Sequence, residues 1–74
     1  MRVVELVTRR GCHLCQEAEE LLRQGGVEAT LLDVDADSDL FRRFDFRVPV
    51  LLVDGRVLAE GRISPAVIST LAEV

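Results

Sequence analysis

Apolar residues recur along this chain with two different rhythms. From Val3 to Val7 every position but Glu5 is apolar, the pattern of a strand buried on both faces. Thr8-Arg9-Arg10-Gly11 interrupts it as a loop. From about His13 to Gln24 the period becomes helical: Leu14, Cys15, Ala18, Leu21 and Leu22 share one face, and Gln16, Glu17, Glu19, Glu20 and Arg23 take the other. Gly25-Gly26 predicts the stop, because glycine adopts the left-handed conformation that closes a helix. Val27 to Val34 then reads as a second strand. Strand, helix and strand in succession predict a βαβ unit, with parallel strands and a right-handed crossover.

The second half is punctuated differently. Asp35-Ala36-Asp37-Ser38-Asp39 is acidic and turn-prone, suited to cap a short helix from about Asp39 to Phe44. Leu40, Phe41 and Phe44 are its expected buried residues, and Phe41, Phe44 and Phe46 are expected in packing rather than in a binding stripe. Val50–Val53 and Arg56–Glu60 flank Asp54-Gly55, a two-residue hairpin signal. Ser64-Pro65 opens a last helix, serine as cap and proline in the first turn, with Val67, Ile68 and Leu71 inward. The expected architecture is a single α/β domain over residues 1–74. It has one four-stranded mixed sheet flanked by helices, in the order β-α-β-α-β-β-α.

Composition narrows the function classes. A net charge of −4 disfavours nucleic acid as a partner, and the absence of Trp and Tyr removes the usual stacking platforms. No apolar run approaches the length of a membrane span, and the stretch before Thr8 is too short for a secretory signal. The expected compartment is the cytoplasm, with no membrane partner. All nine basic residues are Arg, which carries no fold information.

The two cysteines, Cys12 and Cys15, are spaced C-x-x-C at the predicted loop-to-helix junction. In a reducing compartment such a close pair points to redox chemistry or metal, not to a structural staple. Exchange requires a thiolate. At a helix start the Cys12 sulfur meets free N–H groups and the positive end of the helix dipole, and Arg9, Arg10 and His13 stand nearby as tuning charges. Cys15 lies one turn on, in line with Ala18 and Leu22, so it is expected to be the more buried sulfur. The catalytic assignment is therefore Cys12 as attacking thiol and Cys15 as resolving thiol.

At these residues the chain resembles glutaredoxin-like proteins of the thioredoxin superfamily, of the short bacterial type. Thr8-Arg9-Arg10-Gly11-Cys12-His13-Leu14-Cys15 looks like the active-site segment, Arg47-Val48-Pro49 like the Val-Pro loop, and Gly61 like the glycine turn after the last strand. The resemblance implies a thioredoxin-like fold and a cis Pro49. It implies a Val48 main chain that pairs with an extended substrate, and substrate contacts at Arg9 and Gly61. It implies a disulfide-bearing protein or small thiol as substrate, with glutathione or a reductase as electron donor. Two departures stand against glutathione as a bound cofactor. His13-Leu14 replaces the usual dipeptide between the cysteines, and Glu60-Gly61-Arg62-Ile63-Ser64 lacks the first glycine and the aspartate of the glutathione grip.

Other readings of the cysteines stay open. A structural zinc site lacks two further ligands beyond the pair and His13. A zinc or iron–sulfur site shared between two chains requires dimerisation. Inert core cysteines in a non-catalytic interaction domain are the third alternative. Arg62 reads as a surface charge, and Asp33 to Asp39 lacks the spacing, glycine and closing glutamate of a calcium loop. Dithiol exchange accounts for the most residues, with no metal assigned.

Overall fold

The structure, a computed structural model, describes residues 2–72. It contains β1 (Val4–Thr8), α1 (His13–Gln24), β2 (Thr30–Asp33), α2 (Ser38–Phe44), β3 (Val50–Val53), β4 (Arg56–Glu60) and α3 (Pro65–Ala72). The sheet order is β2-β1-β3-β4. β1 runs parallel to β2 and antiparallel to β3, and β3 pairs antiparallel with β4. This is the expected mixed sheet in the expected order, and it is a thioredoxin-like fold.

Alternation along the two central strands divides the core. Leu6 and Leu51, paired across β1 and β3, point to one face with Ala18 and Leu22 of α1 and Ile68 and Leu71 of α3. Val7, Val50 and Leu52 point to the other, where Phe44 of α2 and Val34 join them. Helices thus cover both faces, which is why β1 and β3 carry the near-continuous apolar runs. The outer strands are different: β2 is mostly exposed, and β4 exposes Val57 and Leu58 beside a register shift opposite Leu51/Leu52. That irregularity has no local sequence signal.

The helix boundaries follow from capping chemistry. Cys12 is the N-cap of α1. At its other end Gly26 N–H donates to Arg23 C=O at 3.1 Å and Val27 N–H donates to Leu22 C=O at 2.9 Å, with Gly26 at φ +72°. This is the paired bonding of a glycine-closed helix. It commits the Val27 main chain to the cap, so β2 starts at Thr30 rather than at the expected Val27. Asp37 caps α2, accepting from Asp39 N–H at 2.9 Å and Leu40 N–H at 3.0 Å. Ser64 receives Val67 N–H at the start of α3. The Asp54-Gly55 turn has φ +51° and +82°, the two positive values that a tight hairpin of this type requires.

One packing expectation fails. Phe44 is buried at 1% exposure, but Phe41 is 45% exposed and Phe46 is 95% exposed. A helix as short as α2 places only one of its aromatic rings on the sheet. Phe46 follows in the turn, where the neighbouring Asp45 main chain is engaged elsewhere.

Candidate active site

The site forms where β1 ends. Val7 pairs with Val50, so the next step in register sets Pro49 opposite Thr8, at the start of the loop leading to the cysteines. The Val48–Pro49 peptide is cis, Pro49 is buried and Val48 is half-buried. Gly61 N–H donates to Pro49 C=O at 2.8 Å, and Gly61 takes φ +70°. Cysteine loop, Val-Pro loop and glycine turn, distant in the chain, are therefore gathered at one end of the sheet.

Cys12 is half-buried and Cys15 is buried, and the two are free thiols. The Cys15 N–H donates to Cys12 Sγ at 3.3 Å. Cys12 N–H in turn donates to Arg9 C=O at 3.2 Å, and Gln16 N–H donates to Cys12 C=O at 3.1 Å. The sulfur of Cys12 thus acts as the capping acceptor of α1, at the positive end of the helix dipole. Burial pushes the Cys15 thiol up to about 12, with the Cys12 hydrogen bond adding to the rise and a main-chain hydrogen bond from Arg9 opposing it. The pair is asymmetric: one sulfur reaches the surface and the other is held protonated beneath it.

The remaining expected site residues divide. Arg10 is exposed on the loop, and His13 is exposed in the first turn of α1, its Nε2 lying 3.5 Å from Glu17. Arg62 is also exposed. It borders a groove of about 440 Å³ that runs along α1 from Leu14 to Leu21 and is closed by Ile63 and Pro65. Arg9 does not project freely toward solvent. Its Nε and Nη2 donate to both carboxylate oxygens of Asp35 at 2.9 Å, its Nη1 donates to Asp45 C=O at 2.9 Å, and its Nη2 donates to the Asp45 carboxylate at 2.5 Å. Its guanidinium also lies 5.9 Å from the Phe41 ring, which accounts for the outward position of that side chain. The two carboxylates hold the Arg9 pKa above its ordinary value, and Arg9 holds Asp35 below the usual carboxylate range.

Sequence reasoning missed Asp35 and Asp45 as neighbours of the site. Asp35 lies in the segment expected to cap α2, but Asp37 performs the capping. The two carboxylates lie 26 and 36 residues from Arg9, so no local spacing announces them. Glu60 has a related role: Arg47 grips its carboxylate with two N–H groups and stacks 5.2 Å from the Phe44 ring, bracing the Val-Pro loop against β4. The position where the resemblance leads one to expect glycine is thus a salt-bridge partner here. Among the described residues no group of three or more His, Cys, Asp or Glu side chains is placed to hold a metal ion.

Comparison with known proteins agrees with this geometry. The glutaredoxin-like domain family (DUF836) matches residues 3–71. The chain belongs to this family. Among solved structures it is similar to XcR50 from X. campestris, with TM-score 0.81 and 29% identity over 96% of each chain. It is also similar to the solution structure of Ne2328 from Nitrosomonas europaea, with TM-score 0.73 and 28% identity over 95% of this chain and 89% of that one. A search of curated proteins returned no match. The glutaredoxin-like domain is a thiol-redox fold, and its cysteine pair is in place here. No helix among the described residues is long and apolar enough to cross a membrane.

Proposed function

We propose that this glutaredoxin-like protein is a small thiol–disulfide oxidoreductase that reduces protein or low-molecular-weight disulfides in the cytoplasm. The observation that carries the reading is the sulfur pair itself: a half-buried Cys12 Sγ accepting the Cys15 N–H at 3.3 Å, with the Cys15 thiol buried one turn behind it.

The thiolate of Cys12 attacks one sulfur of a substrate disulfide. A Cys12–substrate disulfide forms, the substrate S–S bond breaks, and the leaving thiolate takes a proton from water. Cys15 then gives up its proton and attacks Cys12 Sγ. The Cys12–Cys15 disulfide forms, the mixed disulfide breaks, and the second substrate sulfur leaves as a thiol. Two electrons have passed from the dithiol to the substrate, and an external thiol or reductase restores the pair. Once Cys12 is locked in a mixed disulfide, its hydrogen bond and charge no longer hold the Cys15 proton, so ionisation of Cys15 becomes easier at the moment it is needed. The Val48 main chain is assigned to pair with an extended substrate as an added strand. Gly61 keeps that loop in place through its bond to Pro49.

Insulin reduction with a dithiol donor tests the reading. Cys12→Ser is expected to abolish turnover, and Cys15→Ser to accumulate the mixed disulfide, visible as an added mass equal to the bound thiol. Turnover in Cys15→Ser equal to that of the wild type, with a dithiol donor, removes the resolving assignment. A stoichiometric zinc or iron signal in freshly purified protein, lost in Cys12→Ala, replaces the reading with metal binding.

A further inference from the structure

We propose that Arg9 is a positioning residue for the thiol pair: held by Asp35 and Asp45, its side chain locks the loop whose main chain anchors Cys12, the residue that caps the helix carrying Cys15. This builds on the dithiol reading of the site. Three connections meet at one guanidinium. Arg9 itself lies between β1 and α1, Asp35 follows β2, and Asp45 follows α2. The main chain of the same residue accepts the Cys12 N–H at 3.2 Å, and the Cys12 sulfur in turn accepts the Cys15 N–H at 3.3 Å. Whatever fixes Arg9 therefore fixes the spacing of the two sulfurs.

Donor arithmetic separates this role from substrate binding. A guanidinium has five N–H groups. Four of them are spent inside the chain, on the two oxygens of Asp35 and on the carbonyl and carboxylate of Asp45. The one left does not make the two-pronged grip that arginine uses on a carboxylate. Charge points the same way. One cation stands between two anions, so the group is net negative and does not attract an anionic substrate or favour a thiolate by its field. What remains is geometry. Two thiols held at a fixed spacing form their disulfide with a high effective concentration, which loosening of the loop reduces.

The equilibrium between reduced protein plus oxidised glutathione and oxidised protein plus two reduced glutathiones measures that effective concentration. It is to be determined for the wild type, Arg9→Ala, Arg9→Lys and Asp35→Asn/Asp45→Asn, with thermal unfolding of each as the check on folding. The expected result is a fall in the oxidation constant of about tenfold, in the same direction for all three variants. The carboxylate variant is the deciding arm, because it keeps the Arg9 charge and removes the two anions that hold it. If Arg9 acts by charge or as a substrate ligand, Arg9→Ala and Asp35→Asn/Asp45→Asn move the constant, or the KM for an anionic disulfide, in opposite directions, and the proposal is overturned. Unchanged constants in folded variants overturn it equally. Insulin reduction by the wild type is scored separately: its failure removes the oxidoreductase reading, while the oxidation constant still reports whether Arg9 sets the pair.

Discussion

Burial of the Cys15 thiol ties the stability of the reduced protein to alkaline pH. Its folded value of about 12 lies above the 9.0 of the free group, so above pH 9 the unfolded chain loses a proton that the native state keeps. Stability is expected to be level with respect to this group below about pH 9 and to decline as pH rises toward 12. Urea unfolding of reduced protein across that range checks it, and the Cys15→Ala variant is expected to lack this part of the slope. The carboxylates behave in the opposite sense. Arg9 lowers the Asp35 pKa and Arg47 lowers that of Glu60, so both contributions are complete above the unfolded values and are lost as pH falls through the folded ones. Below about pH 4 the wild type is expected to lose stability more steeply than Asp35→Asn or Glu60→Gln. These side chains are exposed, so the difference is expected to shrink at high salt.

At the scale of elements, the helices depend on a few contacts each. α2 places one fully buried side chain, Phe44, on its face of the sheet, where it meets Val7, Val34, Val50 and Leu52. Phe44→Ala is expected to cost about 3–5 kcal/mol in urea denaturation and to detach this helix. Phe46→Ala, at 95% exposure, is expected to change stability by less than about 0.5 kcal/mol. The junction of α1 and α3 is close enough that a β-carbon on Gly25 falls 2.6 Å from Ile68 Cγ2 and 3.3 Å from the Leu21 carbonyl. Gly25→Ala is therefore expected to destabilise by about 1–3 kcal/mol, through overpacking against a buried side chain. Gly26 meets no such neighbour, but its φ of +72° makes Gly26→Ala costly by about 1–2 kcal/mol through the backbone alone. Relief by Ile68→Val distinguishes the two: it is expected to recover part of the Gly25→Ala loss and none of the Gly26→Ala loss.

In the whole molecule, the sheet order brings three sequence-distant segments to one end. β1 lies between β2 and β3, so the loop after β1 has the β2–α2 connection on one side and the Val-Pro loop on the other. Arg9 spans toward both, and Gly61 closes the far side through Pro49. The two cysteines stand at this end of the sheet, at the start of α1, among these loops. The site is built from the end of the sheet and the start of one helix.

Features encoded by short-range physics are legible in the residues alone. The cysteine pair at a helix start, the glycine stop at Gly25-Gly26, the Asp54-Gly55 turn, the Ser64-Pro65 helix opening and the apolar strands each depend on residues within a few positions of one another. Tertiary structure alone decided the rest: the outward turn of Phe41 and Phe46, the irregular pairing of β4, the close approach of Gly25 to Ile68, and the engagement of Arg9 by Asp35 and Asp45. A charged side chain carries no mark of its partner when that partner lies 26 or 36 residues away. Only the folded sheet, by fixing which loops become neighbours, selects among the 13 acidic residues the two that Arg9 meets.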